Sequence, residues 1–148
     1  MVLPNYVAID QKPDNGCEIQ DTCDGRSKVM ICLRLVKGEP IDHKSLEGRH
    51  ADESGLHGTM VLKELVSPWF HSGRLVVGDS YFASVPAALA MHAVGLRFIG
   101  PVKTATKQFP LQYLQTHELT NRGNHKGVVN SNLETGDKLM DFVWVDRE

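Results

Sequence analysis

Residues 73–102 read GRLVVGDSYFASVPAALAMHAVGLRFIGPV and decide the fold class. Gly73 opens a short apolar run, Arg74 to Val77, that delivers Asp79 at its C-terminal end. Ser84 is a good N-cap and Pro86 an early helical residue. Ala87 to Met91 are strong helix formers, and Gly95 is a C-terminal stop, so the spacing predicts a helix over 85–94. Leu96 to Val102 then reads as a second strand. Strand, helix and strand in 30 residues form a βαβ unit, in which the two strands run parallel.

Upstream, Lys12-Pro13-Asp14-Asn15-Gly16 suggests a turn at 14–16. A strand is expected from Cys17 toward Asp24, a turn over Asp24-Gly25-Arg26-Ser27, and an alternating strand over 29–36. Two such runs joined by a Gly-containing turn are a hairpin signal. Residues 39–57 are polar and weakly periodic, which predicts a loop. Met60, Leu62, Leu65 and Val66 fit a helix closed by Ser67-Pro68. Downstream, the chain reads as a helix near 110–116, a Gly/Asn-rich turn at 121–127 and a strand over 142–145.

The 148 residues suffice for one domain with its own core. Near-average Gly, Pro and charge content excludes collagen-like, disulfide-rich and disordered classes. Apolar runs fall far short of the roughly 20 residues of a membrane span, and the N-terminus does not read as a secretory signal. A soluble, intracellular protein is expected. Cys17, Cys23 and Cys32 form no C-x-x-C pair and read as buried free thiols. The seven histidines show no metal-binding spacing and read as solvated. Walker, G-x-G-x-x-G and G-x-S-x-G motifs are absent, which argues against nucleotide-cofactor and α/β-hydrolase readings.

The net charge of −2 hides a pattern. Residues 1–24 carry five acids against one base, residues 97–126 five bases against one acid, and residues 127–148 five acids against two bases. One basic segment therefore lies between acidic ones. Lys103 and Lys107, with Arg122 and Lys126, are candidates for phosphate contacts; the same charges also suit an ordinary solvated face.

Asp24 and Asp79 each close an apolar strand and precede a small residue, Gly25 or Ser80. Such an Asp serves equally as a turn residue. If the two strands lie side by side and parallel, both carboxylates meet where open α/β sheets bind ligands. An oxygen-only pair of that kind suits Mg²⁺ or Mn²⁺.

Several blocks, taken in order, resemble the piggyBac-type transposases and their transposable-element-derived relatives. They are G-x-E-I-x-x-x-C-D-G at Gly16–Gly25, D-S-x-F-A-S at Asp79–Ser84, and G-x-x-x-x-G-x-V-K at Gly95–Lys103, followed by a basic segment ending at Pro110. The resemblance covers about residues 4–146. It implies a ribonuclease-H-like α/β domain, a mixed sheet flanked by helices, incomplete here. Residues 1–148 then form one partial domain, with 103–148 beginning an insertion region.

The resemblance also implies an Asp-Asp-Asp site that binds two divalent metals, Mg²⁺ or Mn²⁺, for DNA cleavage and strand transfer. Asp24 matches its first catalytic and metal-binding Asp, and Asp79 its second. Ser80 stands where Asn is more usual. The family's third acidic element falls beyond Glu148, and Asp137, Asp141 and Asp146 do not match it. The expectation is a transposase segment inactive as this chain, with transposon-end DNA as partner, a homodimer in full-length relatives and a nuclear location. The alternatives are a domesticated DNA-binding protein without catalysis and a small-molecule α/β enzyme.

Overall fold

The computed structural model describes residues 7–8, 15–16, 18–36, 41–50, 56–103, 108–114, 123–131 and 138–144. In chain order they form β1 (Val7–Ala8), β2 (Asn15–Gly16), β3 (Ile19–Cys23), β4 (Met30–Leu35), α1 (Ile41–His50) and α2 (His57–Val66). A 3-10 turn (Ser67–Trp69) leads to β5 (Leu75–Val77), α3 (Val85–Ala93) and β6 (Arg97–Ile99). The chain continues through α4 (Leu111–Leu114), β7 (His125–Ser131) and β8 (Lys138–Trp144). Among these residues no helix is long and apolar enough to cross a membrane.

The βαβ unit forms as its local signals require. Ser84 Oγ accepts a hydrogen bond from the Ala87 N–H at 3.2 Å, satisfying one orphan donor of α3. Gly95 adopts φ +69°, a conformation that an L-residue at this helix end would reach only with strain. β5 and β6 pair in parallel, Leu75 with Arg97 through Val77 with Ile99. Their C-terminal ends approach closely. A Cβ at Gly100 would come within 2.8 Å of both the Ala83 Cβ and the Gly78 carbonyl oxygen.

β3 and β4 form the expected antiparallel hairpin, Ile19 opposite Leu35 and Thr22 opposite Cys32. The register shifts between Thr22 and Cys23, next to the turn. Asp24 N–H donates to the Val29 carbonyl at 2.9 Å and Lys28 N–H to the Asp24 carbonyl at 2.8 Å, closing the loop. Lys28 takes the left-handed conformation there, φ 58°.

The core is centred on α2, whose Met60, Val61, Leu62, Leu65 and Val66 are all buried. Ala87 and Met91 of α3, Leu96 before β6, and Leu46 of α1 complete it. Trp69, Phe70, Val76, Phe82 and Phe98 are partly buried and pack against it.

Several sequence expectations change. Residues 41–50, read as part of a polar loop, form α1, and Leu46 on it is fully buried. One buried leucine gives almost no periodicity, so tertiary contact rather than pattern holds this helix. Arg49 Nη1 and His50 Nε2 meet the two carboxylate oxygens of Glu64 on α2 at 2.7 and 2.6 Å, so His50 is not simply solvated. Asn15–Gly16, read as turn, instead pairs antiparallel with Val7–Ala8. His125–Gly127, also read as turn, begins β7, which pairs with β8 along seven residues. Cys23 is exposed rather than buried, and Cys32 is half-buried; Cys17 lies outside the described residues.

A single mixed sheet does not form among the described residues. The strands pair two by two: β1 with β2, β3 with β4, β5 with β6 and β7 with β8.

Candidate functional site

β3 and β5 are not hydrogen-bonded neighbours, so the condition of side-by-side parallel strands is not met; residues of both line one cavity of about 1040 Å³. Each is paired with another strand, β3 with β4 and β5 with β6. Glu18 to Asp24, Arg74 to Asp79, and Leu62, Leu65 and Val66 of α2 are among the residues that line it. The Thr22 hydroxyl reaches the Leu65 carbonyl of α2 at 3.5 Å, linking β3 to α2. Asp24 and Asp79, the two carboxylates singled out in the sequence, both line this cavity.

Each aspartate also organises its own turn through one oxygen. Asp24 Oδ2 accepts from the Ser27 N–H at 2.6 Å, the Ser27 hydroxyl at 2.7 Å and the Arg26 N–H at 3.2 Å. The Ser27 backbone bond is the main cause holding the Asp24 carboxyl below its ordinary value, followed by the Ser27 hydroxyl; Arg26 N–H and the positive charge of Arg74 add to it against a small desolvation penalty. Asp24 is thus an exposed, ionised carboxylate. Asp79 Oδ1 accepts from the Tyr81 N–H at 2.9 Å and, more weakly, from the Phe82 N–H at 3.4 Å. Tyr81 and Phe82 pack edge to face, ring centroids 4.9 Å apart, and set the shape of that turn.

The local turn role and a ligand role are compatible, because the bonded oxygens are Asp24 Oδ2 and Asp79 Oδ1 while each carboxylate has a second oxygen. Hard carboxylate donors suit Mg²⁺ or Mn²⁺. Among the described residues, however, no three His, Cys, Asp or Glu side chains cluster as a metal-holding group. Asp141 is on β8 and is not part of the cavity wall. Its Oδ2 is buried without a hydrogen-bond partner, and burial pushes its carboxyl above the ordinary value. Asp137 and Asp146 lie outside the described residues.

Cys23 also lines the cavity. Its thiol donates to Asp21 Oδ2 at 3.1 Å, and this bond, with some desolvation and the Asp21 charge, raises the thiol above its ordinary value. Such a thiol is a poor nucleophile.

The basic candidates fare unevenly. Lys103 is exposed beyond β6, and Lys126 is half-buried on β7. Lys107 and Arg122 lie outside the described residues. The one Lys or Arg among the described lining residues is Arg74, whose charge acts on Asp24 and which sequence reading treats only as the first residue of a strand. Its one sequence signal is its place at the opposite end of the same short strand as Asp79.

A family model described as Transposase IS4 matches residues 3–148. None of the curated proteins is significantly similar to the chain. Among solved structures, the cryo-EM structure of the piggyBac transposase synaptic complex with hairpin DNA superposes with a TM-score of 0.64 at 20% sequence identity. The match covers 98% of this chain and 30% of that one. An antiparallel hairpin ending in Asp24, a βαβ unit presenting Asp79 and a family match spanning nearly every residue lead to one assignment: the chain belongs to the Transposase IS4 family and shares its fold with part of the piggyBac transposase.

Proposed function

We propose that this chain forms part of a ribonuclease-H-like catalytic module for DNA cleavage and strand transfer, with Asp24 and Asp79 as divalent-metal ligands. The observation that carries this reading is that both aspartates line one cavity although they come from different strand pairs. Bound Mg²⁺ or Mn²⁺ would supply charge stabilisation for phosphoryl displacement at DNA. The chain's own contribution is to hold the two carboxylates: the Ser27 and Arg26 donors fix Asp24, and the Tyr81 N–H fixes Asp79.

Two carboxylate ligands hold a divalent ion weakly, so weak metal binding by these residues is expected, and the proposed place of action is the nucleus. The substrate class is supported by the DNA in the piggyBac complex.

Mn²⁺ titration followed by electron paramagnetic resonance tests the assignment. Saturable binding by the wild-type chain, lost in Asp24→Asn and in Asp79→Asn with folding retained, is the expected result. Binding that survives both substitutions sinks it. DNA binding indifferent to Mg²⁺ and to both substitutions would instead favour a non-catalytic DNA-binding protein.

A further inference from the structure

Four carboxylates line the cavity, Glu18, Asp21, Asp24 and Asp79, and Arg74 is the one Lys or Arg among its described lining residues. Without a cation such a wall repels a phosphodiester strand, so the position and availability of that arginine matter. Arg74 is exposed and makes no side-chain hydrogen bond or close ion pair among the described residues, its charge acting on the exposed Asp24 carboxylate only through space. Its neighbour across β6 differs: Arg97 donates its Nε–H to the Gly73 carbonyl at 3.1 Å, a structural bond that ties the two strand starts together. Arg74 takes part in the same scaffold only through its backbone, its carbonyl accepting from the Arg97 N–H at 2.9 Å. The backbone is therefore fixed while the guanidinium is left to the cavity.

From these observations we infer that Arg74 is a phosphate-binding residue, anchoring a backbone phosphate of the DNA strand held along the cavity at a position set apart from Asp79. Arg74 precedes β5 and Asp79 follows it, so the strand separates the two along one wall. A guanidinium offers a planar fork of donors that matches two phosphate oxygens. A contact to a phosphate beside the reacting one positions the strand without reading its sequence. This inference rests on the cavity being the DNA site proposed above, and it adds the residue that offsets the wall's negative charge.

The test measures binding of a fluorescein-labelled mixed-sequence duplex to the 148-residue chain by anisotropy, in Mg²⁺, between about 50 and 200 mM salt. Arg74→Gln, at an exposed position, is expected to weaken binding at low salt and to reduce the salt slope by about one. A slope difference of one narrows the gap between wild type and variant about fourfold over that salt range. Arg74→Lys should restore the slope, since it returns the charge, while binding less tightly than wild type because the fork is lost. A folded Arg74→Gln chain with wild-type affinity and slope overturns the inference, and so does a wild-type chain that does not bind the duplex. If the wild type binds no Mn²⁺ yet Arg74→Gln still lowers the slope, the metal assignment fails and the phosphate contact stands.

Discussion

Ser27 donates two hydrogen bonds to a single oxygen of Asp24, from its backbone N–H at 2.6 Å and from its hydroxyl at 2.7 Å. The turn that follows β3 is thus built around the carboxylate assigned to metal binding.

Replacing Ser27 by Ala removes the hydroxyl bond and leaves the backbone one. Because the folded-state value of Asp24 is lowered, its contribution to stability is present above the ordinary Asp value of about 3.9 and is lost as pH falls through the lower folded value. The variant should shift the Asp24 titration upward, read by NMR of the side-chain carboxyl, and reduce the stability lost on acidification. An unchanged titration would mean that the hydroxyl bond is not formed in solution.

Gly100→Ala tests the close approach beyond β5 and β6. The added methyl would meet the Gly78 carbonyl and Ala83 Cβ at 2.8 Å, and neither is the far end of a flexible side chain. A loss of about 1–3 kcal/mol in urea unfolding is expected, as for overpacked interiors. Because Asp79 sits beside Gly78 in this turn, Mn²⁺ affinity should fall as well. A variant as stable as wild type would show that the two segments are further apart.

Leu46→Ala asks whether residues 41–50 are a packed helix. Leu46 is fully buried against α2, and truncating such a leucine costs about 2–5 kcal/mol. A solvated loop would lose well under that amount, so one denaturation curve separates the two descriptions.

Asp141→Asn probes the β7–β8 hairpin. The wild-type carboxyl is raised above its ordinary value by burial, so its favourable contribution is complete below about pH 3.9 and is lost as pH rises through the raised folded value. At neutral pH the amide should be more stable than the carboxylate by on the order of 1 kcal/mol, the scale of an unsatisfied buried polar group. That advantage should disappear near pH 3. Equal stabilities at both pH values would contradict the burial of Asp141 Oδ2.

The parts of this protein written in its sequence are those stabilised within a few residues of chain. Ser84 capping α3, Gly95 ending it, and the Asp24–Ser27 turn all depend on contacts between near neighbours, so residue type and spacing suffice to place them. The same holds for Asp24 and Asp79 as strand-end carboxylates.

What lay outside that reach depends on residues far apart in the chain. α1 exists because Leu46 finds the core and because Arg49 and His50 find Glu64, fourteen and more positions away. β7 exists because it finds β8, although its first residues carry turn-like chemistry. The cavity lined by both β3 and β5, and the presence of Arg74 in its lining with Asp24, arise from how separate strand pairs settle around α2. Sequence alone determined which carboxylates were candidates. Only the tertiary structure decided that they share one cavity and that Arg74 is the one arginine among its described lining residues, because burial and electrostatics act through space, between groups whose distance along the chain says nothing of their separation.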